Sequence, residues 1–316
     1  MKNPFFSIVI PTYNLASFLP RTIESILEQT FSNNEIIIID DGSTDNTKET
    51  VIPYIEKHSN IKYFWQENGR QGAARNNGIK KAVGDYIVFF DHDDLMLVDY
   101  LTIMHQKINE LNKPNFIATK HELLQNKKRF PSSSLEKLKE GWYGLDLFLQ
   151  GDPLACHFCI KNKNPSLKLF EERREYASME DWMFLIQNTV NDRIYLIDKV
   201  AVLMNTHQNQ FMQRNHSKVI SARLLAMKWI IEKSILNHEQ NKKMQGYSFH
   251  FCAIHSHLDN NRRKALTYLF RSIKYKIPTD KTFLLFIKII VGRKNILRLK
   301  LFFNLHFSVF QIQKGS

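Results

Sequence analysis

The sequence predicts an α/β protein with a mostly parallel sheet and a helical, basic C-terminal appendage. Three observations predict it. Short β-branched runs alternate with amphipathic ones through the first third, polar clusters follow three of the strand runs, and the pattern turns helical and basic beyond Ser217.

Phe6 to Ile10 reads as a buried strand. Ser17 is placed to cap a helix in which Leu19, Ile23, Ile26 and Leu27 share one face. Glu35 to Ile39 is a second strand, and Asp40-Asp41-Gly42-Ser43 a turn. A helix should follow from about Thr44, bent or ended by Pro53, then a strand at Ile61 to Trp65. Asn68 to Gly72 reads as a loop, Ala73 to Ala82 as a helix, and Tyr86 to Phe90 as a strand entering Asp91-His92-Asp93-Asp94. Strands are expected at Phe116 to Thr119 and Ile194 to Leu196, and helices at Met179 to Val190 and Val219 to Leu236. The expected division is a catalytic domain over 1–216, with halves 1–95 and 96–216, and a helical region over 217–316.

With 316 residues, 43% hydrophobic and 24% charged, the chain can bury a substantial core and is not a disordered sequence. Three cysteines make no disulfide framework, and Met1 to Phe6 lacks the basic start and apolar stretch of a signal peptide, so a reducing cytoplasm is expected. The net charge of +13 is lopsided: Arg262 to Ser316 holds 13 Lys or Arg against one acid, Asp280. The body is left nearly neutral, which argues against nucleic acid as the partner.

In open α/β sheets ligands bind beyond the carboxyl ends of strands. Pro11-Thr12-Tyr13-Asn14, Asp40-Asp41 and Asp91 to Asp94 all lie at such ends. Asp91 to Asp94 packs three carboxylates behind an apolar strand, which invites a cation. Mg²⁺ or Mn²⁺ suits hard carboxylate oxygens together with a nucleotide's phosphates. Taken alone, the cluster reads better as a solvated turn capping a helix near Leu97; its place beside two other polar strand ends favours the cation.

Phe6-Ser-Ile-Val-Ile-Pro-Thr-Tyr-Asn14, Ile39-Asp-Asp-Gly-Ser-Thr-Asp45, Gly72-Ala-Ala-Arg-Asn-Asn-Gly-Ile79 and Gly84-Asp-Tyr-Ile-Val-Phe-Phe-Asp-His-Asp-Asp94 resemble the successive motifs of the inverting family 2 glycosyltransferases, which have the GT-A fold. The resemblance implies a UDP-sugar donor. Pro11, Thr12 and Tyr13 would border the base, Asp41, Asn68 and Arg75 would contact uracil or ribose, and Asp91 would approach the ribose. Asp93 would ligate the metal, and Arg75 would also offset charge on the departing diphosphate. His92 is grouped with the nucleotide-binding residues, although it fills the variable position of the motif and is no expected ligand. Asp40 reads as readily as a cap of its turn, so Asp41 ranks above it.

Met179-Glu180-Asp181-Trp182, with Phe170-Glu171-Glu172 upstream, resembles the family's Glu-Asp catalytic motif. By that resemblance Asp181 is the general base and Glu180 its orienting neighbour, although acids in a first helical turn are also common as dipole complements. His207 falls in a segment resembling the family's post-catalytic loop, where a His reaches the metal or pyrophosphate; a plain surface histidine fits equally. Cys156-His-Phe-Cys159 has a zinc-like spacing but no second pair, and reads as two half-buried cysteines in the region expected to meet the acceptor.

From Lys281 to Phe303 bulky apolar and basic residues interleave, with no apolar run near the roughly 20 residues that span a bilayer. This predicts an interfacial segment drawn to an anionic membrane surface; the other reading, compatible with it, is a helical subdomain docked on the body with a basic outer face, or an oligomer contact. The expected activity is transfer of a hexose or N-acetylhexosamine to a glycan hydroxyl, on a lipid-linked surface polysaccharide such as capsule, lipopolysaccharide or teichoic acid, at the inner face of the membrane. A nucleotidyltransferase is the alternative enzyme, disfavoured because no Gly-rich basic loop follows the first strand. A non-catalytic lipid- or nucleic-acid-binding protein is the third.

Overall fold

The computed structural model describes residues 5–206, 215–275 and 279–292, with side chains of 279–281 left undescribed. The chain divides into two compact units, Met1–Gln210 and Phe211–Ser316.

The first unit is built on a ten-stranded mixed sheet. Its N-terminal half comprises β1 (Phe6–Thr12), α1 (Leu19–Leu27), β2 (Asn34–Asp40), α2 (Thr47–Lys57), β3 (Ile61–Trp65), α3 (Arg70–Lys81) and β4 (Tyr86–Phe89). These strands are parallel and lie in the order β3-β2-β1-β4. The chain therefore winds outward from β1 in one direction, then returns to its other side. The carboxyl ends of β1, β2 and β4 meet at that reversal, where an open sheet leaves a crevice. Ile36 to Ile39 are wholly buried, as a parallel strand covered on both faces requires.

The C-terminal half adds β5 (Leu95–Met96), α4 (Tyr100–Glu110), β6 (Phe116–Gln125), β7 (Lys128–Pro131), β8 (Gly141–Tyr143), α5 (Leu145–Phe148), β9 (Phe158–Lys161), a 3₁₀ turn at Arg174–Tyr176, α6 (Glu180–Thr189) and β10 (Ile194–Asn205). The sheet is less parallel than the sequence predicts, because β9 runs antiparallel to both β4 and β6. Strands β6 and β10 also run past their expected ends. Their polar continuations stay in the sheet: Lys120 pairs with Asp198 at 2.6 Å and His121 is buried.

Other boundaries shift for local reasons. Ser17 does not cap α1; Phe18 holds that position without a side-chain bond, and Pro20 in the first turn sets the start. Pro53 lies inside α2 on its exposed side, so its missing hydrogen bond faces water. Helix α3 begins at Arg70, three residues before Ala73, because the Asp41 carboxylate accepts from the Gly69 and Arg70 N–H groups. Leu95 and Met96 pair with β10, so the helix expected near Leu97 starts at Tyr100. Cys156 and Cys159 are fully buried, not half-buried.

The second unit contains α7 (His216–Glu232), α8 (His238–Leu258), α9 (Arg262–Lys274) and α10 (Thr279–Val291). An Asn237/Gln240 capping box starts α8. Arg223 is buried in α7 and donates to Ser248 at 3.1 Å. Leu285 and Ile289 pack α10 on Ala253, Ala265 and Leu269. Among the described residues, no helix is long and apolar enough to cross a membrane.

Candidate functional site

Three strand ends are tied together at the sheet's reversal. Asp41 N–H donates to the Thr12 carbonyl at 2.9 Å, and Asn68 Nδ2 donates to the Asp41 carbonyl at 2.8 Å. His92 Nδ1 lies 2.8 Å from the Pro11 carbonyl, which ties the acidic corner to β1. Tyr13 stands exposed beside them. Asp40 does cap its turn, accepting from the Ser43 N–H, while Tyr63 donates to its other oxygen. Asp41 is buried as well, and both its oxygens accept protein N–H groups, from Gly69, Arg70 and Gln66. Burial nonetheless pushes its carboxyl above the usual range.

Helix α3 joins the two halves. Gly78 allows it to lie against β1, since a Cβ there would meet Val9 at 2.2 Å. Asn76 donates to the Phe170 carbonyl and to Glu172, and accepts from the Phe170 N–H, so it pins the segment that leads to α6. Phe170 then stacks on Phe184 with ring centroids 4.1 Å apart.

Arg75, beside Asn76, is wholly buried. One end of its guanidinium donates to Asp91 at 2.9 Å and the other to Asp181 at 2.6 Å. A planar fork is the group that can bridge two carboxylates in this way. Arg75, expected to touch the donor, has both ends of its guanidinium on these two acids. The pair titrates unequally. Burial raises both carboxyls, yet Arg75 together with His157 and His92 outweighs it at Asp91, held below the usual range, whereas burial prevails at Asp181, which stays above. Glu180 is almost fully enclosed, and burial together with Asp181 pushes it to about 7.

Asp93 sits half-buried at the mouth of the corner, while Asp94 points inward. The two oxygens of Asp94 meet His157 Nε2 at 2.6 Å and the Asn205 N–H at 2.7 Å, so Asp94 is a brace and not a helix cap. Burial disfavours a charged His157, but Asp94 and the neighbouring acids outweigh it, so this histidine titrates above its ordinary value. The stabilisation is therefore full below the ordinary histidine pKa and fades as pH rises through the folded-state value. Burial raises Asp94 to about 6 as well, so Asp94→Asn, which strands a buried cation, should cost about 3–5 kcal/mol in urea unfolding between that pH and the folded-state value of His157; a loss under about 1 kcal/mol would exclude the brace.

Sequence reasoning missed this brace, and it missed Asp152. Asp152 accepts from the Leu154 and Ala155 N–H groups, and burial and Asp181 push it to about 7. The available signal was a Gly-Asp-Pro turn just before the Cys156 segment. His207 lies outside the described residues.

Residues 7–159 match the model of glycosyl transferase family 2. This segment is a glycosyl transferase family 2 domain. An uncharacterized glycosyltransferase of Rickettsia felis is 34% identical over 218 residues, covering 67% of this chain and 35% of the relative. The chain thus spans about a third of the length of the first curated relatives it matches. A full-length match is the Campylobacter jejuni GalNAc(5)-diNAcBac-PP-undecaprenol beta-1,3-glucosyltransferase, 28% identical over 91% of this chain and 94% of that one. Among solved structures, S. aureus TarS 1-349 in complex with UDP-GlcNAc superposes with a TM-score of 0.61 at 20% identity, over 84% of this chain and 89% of that 1-349 chain. The family 2 domain here has the GT-A fold, and its match ends at β9, before the helix that carries Asp181.

Proposed function

We propose that this chain transfers a sugar from a UDP-sugar to a hydroxyl of a lipid-linked glycan, by single displacement with inversion. The observation that supports it is the Asp91–Arg75–Asp181 array, which ties the acid at the nucleotide end of the crevice to a second acid on α6. One acid faces the donor's position and the other, held by Arg75, stands ready to serve an acceptor, as a single displacement needs.

Asp181 is the base. A sugar hydroxyl is too weak an acid to ionise first, so its proton passes to Asp181 as the oxygen attacks the anomeric carbon. Arg75 holds that carboxylate in place, and Glu180 is its orienting neighbour. Pro11, Thr12, Tyr13, Asp41 and Asn68 line the nucleotide side, with Asp91 approaching the ribose. His92 stays a support of β1 through the Pro11 carbonyl.

The acidic corner fits a divalent cation. Among the described residues no three His, Cys, Asp or Glu side chains gather as a complete protein cage. Mg²⁺ or Mn²⁺ needs none, since it commonly takes one or two carboxylates and fills its remaining positions with phosphate and water oxygens. Asp93, half-buried at the mouth, is the carboxylate that would hold it, because both oxygens of Asp94 are spent on His157 and Asn205. When bound, the cation offsets charge on the diphosphate.

The name of the Campylobacter jejuni relative supports a polyprenol-linked acceptor, and the ligand in the TarS structure supports a UDP-sugar. Attachment to the inner membrane surface through the basic C-terminal region belongs to the same proposal. Incubating the protein with a panel of UDP-sugars and Mn²⁺ should release UDP slowly by hydrolysis. Pyrophosphate as the product would assign a nucleotidyltransferase, and no turnover of any nucleotide sugar would refute the proposal.

A further inference from the structure

The outer surface of α9 and α10 breaks the rule by which surface helices present charge to water. On α10, Leu285 and Ile289 face inward, yet the opposite side is also apolar. Phe283 is 65% exposed, Leu284 53% and Ile290 54%, with Phe286 and Ile287 beside them. Positions 283, 286/287 and 290 follow helical spacing and make one stripe. Helix α9 contributes Phe270, 59% exposed, and Ile273. A protein in water rarely leaves so many large apolar side chains together without a partner.

The charges on these two helices are of one sign but for Asp280. Arg263, Lys264, Arg271, Lys274 and Lys288 are exposed, and Asp280 is the only acid from Arg262 to the end of the chain. An obligate protein contact depletes charge from its apolar centre, whereas a lipid interface wants apolar groups in the acyl boundary and cations at the phosphates. With 13 residues, α10 is only about 20 Å long, too short to cross a bilayer and suited to lie in its plane.

We infer that the outer face of α9 and α10 is a docking surface for an anionic bilayer. Phe270, Ile273, Phe283, Phe286, Ile287 and Ile290 enter the headgroup boundary, and Arg271, Lys274 and Lys288 meet lipid phosphates. Rotation about either helix axis would lose one of the two contacts, so the surface also orients the unit. The inference rests on the reading of the chain as a transferase for a lipid-linked acceptor, and it replaces a diffuse basic tail with a defined face.

The test is flotation of the full chain with vesicles of phosphatidylcholine alone and of phosphatidylcholine mixed with phosphatidylglycerol. The wild type should float with the mixed vesicles and lose that binding in high salt. Phe283→Ser/Phe286→Ser/Ile290→Ser should weaken binding by about tenfold or more, and Arg271→Gln/Lys274→Gln/Lys288→Gln should abolish the preference for the anionic lipid. All substituted side chains are exposed, so circular dichroism melts should match the wild type. UDP binding should be unchanged in both variants, which keeps this test separate from the donor reading. Wild type that does not float, or that floats no better than the serine variant, overturns the inference. A stable dimer that the serine variant dissolves, and that vesicles do not dissociate, also overturns it and makes the face a contact between copies.

Discussion

Asp181→Asn should keep its affinity for UDP and lose turnover by about 10²–10⁴-fold, the range a positioned general base contributes. The substitution preserves shape and still offers Arg75 an oxygen, so the fold and the nucleotide side should survive. What it removes is the capacity to accept a proton while the acceptor oxygen attacks. Steady-state release of UDP with saturating acceptor reads the loss, and near-normal turnover would remove Asp181 from the role. The pH profile carries the same information. Asp181 works as the carboxylate, so kcat/KM must fall as pH drops through its apparent pKa. Because burial holds that pKa above the ordinary aspartate value, the acid limb should lie higher than for a free aspartate. Glu180 and Asp152 titrate close by, near 7, so the limb belongs to the cluster and not to one group.

Arg75→Met should be the most damaging single change outside the base. It fills the space of a fully buried side chain but leaves Asp91 and Asp181 facing each other without their shared cation. Removing one member of a buried ionic network typically costs about 3–5 kcal/mol, which thermal or urea unfolding would register. Activity should fall with it, since both acids lose their positions and the pKa of Asp91 rises toward that of Asp181. Arg75→Lys discriminates between charge and geometry: an ammonium restores the charge but cannot bridge both carboxylates as a fork does. Lys should therefore recover part of the stability and little of the turnover. Full rescue by Lys would show that the bridge is only a counter-charge.

Local pattern made the N-terminal half legible. Strands such as Ile61–Trp65 and the acidic corner after Tyr86–Phe89 are written in contiguous residues, and so are the motifs that place Arg75. What escaped was set by distant partners. Asp94 and His157 lie 63 positions apart, and nothing in either neighbourhood announces the other. The extension of β6 through Lys120 and His121 rests on pairing with Val200 and Val202 of β10, which only tertiary structure supplies. Arg75 shows the same limit in reverse: its motif was readable, but its burial between Asp91 and Asp181 was not, because residue type alone says nothing of what a guanidinium faces.

On the proposed function the corner at Asp91–Asp94 takes a nucleotide diphosphate together with a divalent cation. Calorimetric titration of UDP, with Mn²⁺, with Mg²⁺ and with chelator present, tests it most directly. The account predicts binding that needs the cation and that Asp93→Ala weakens while the protein stays folded. UDP affinity that is absent under every condition, or indifferent to the cation and to Asp93, would contradict it.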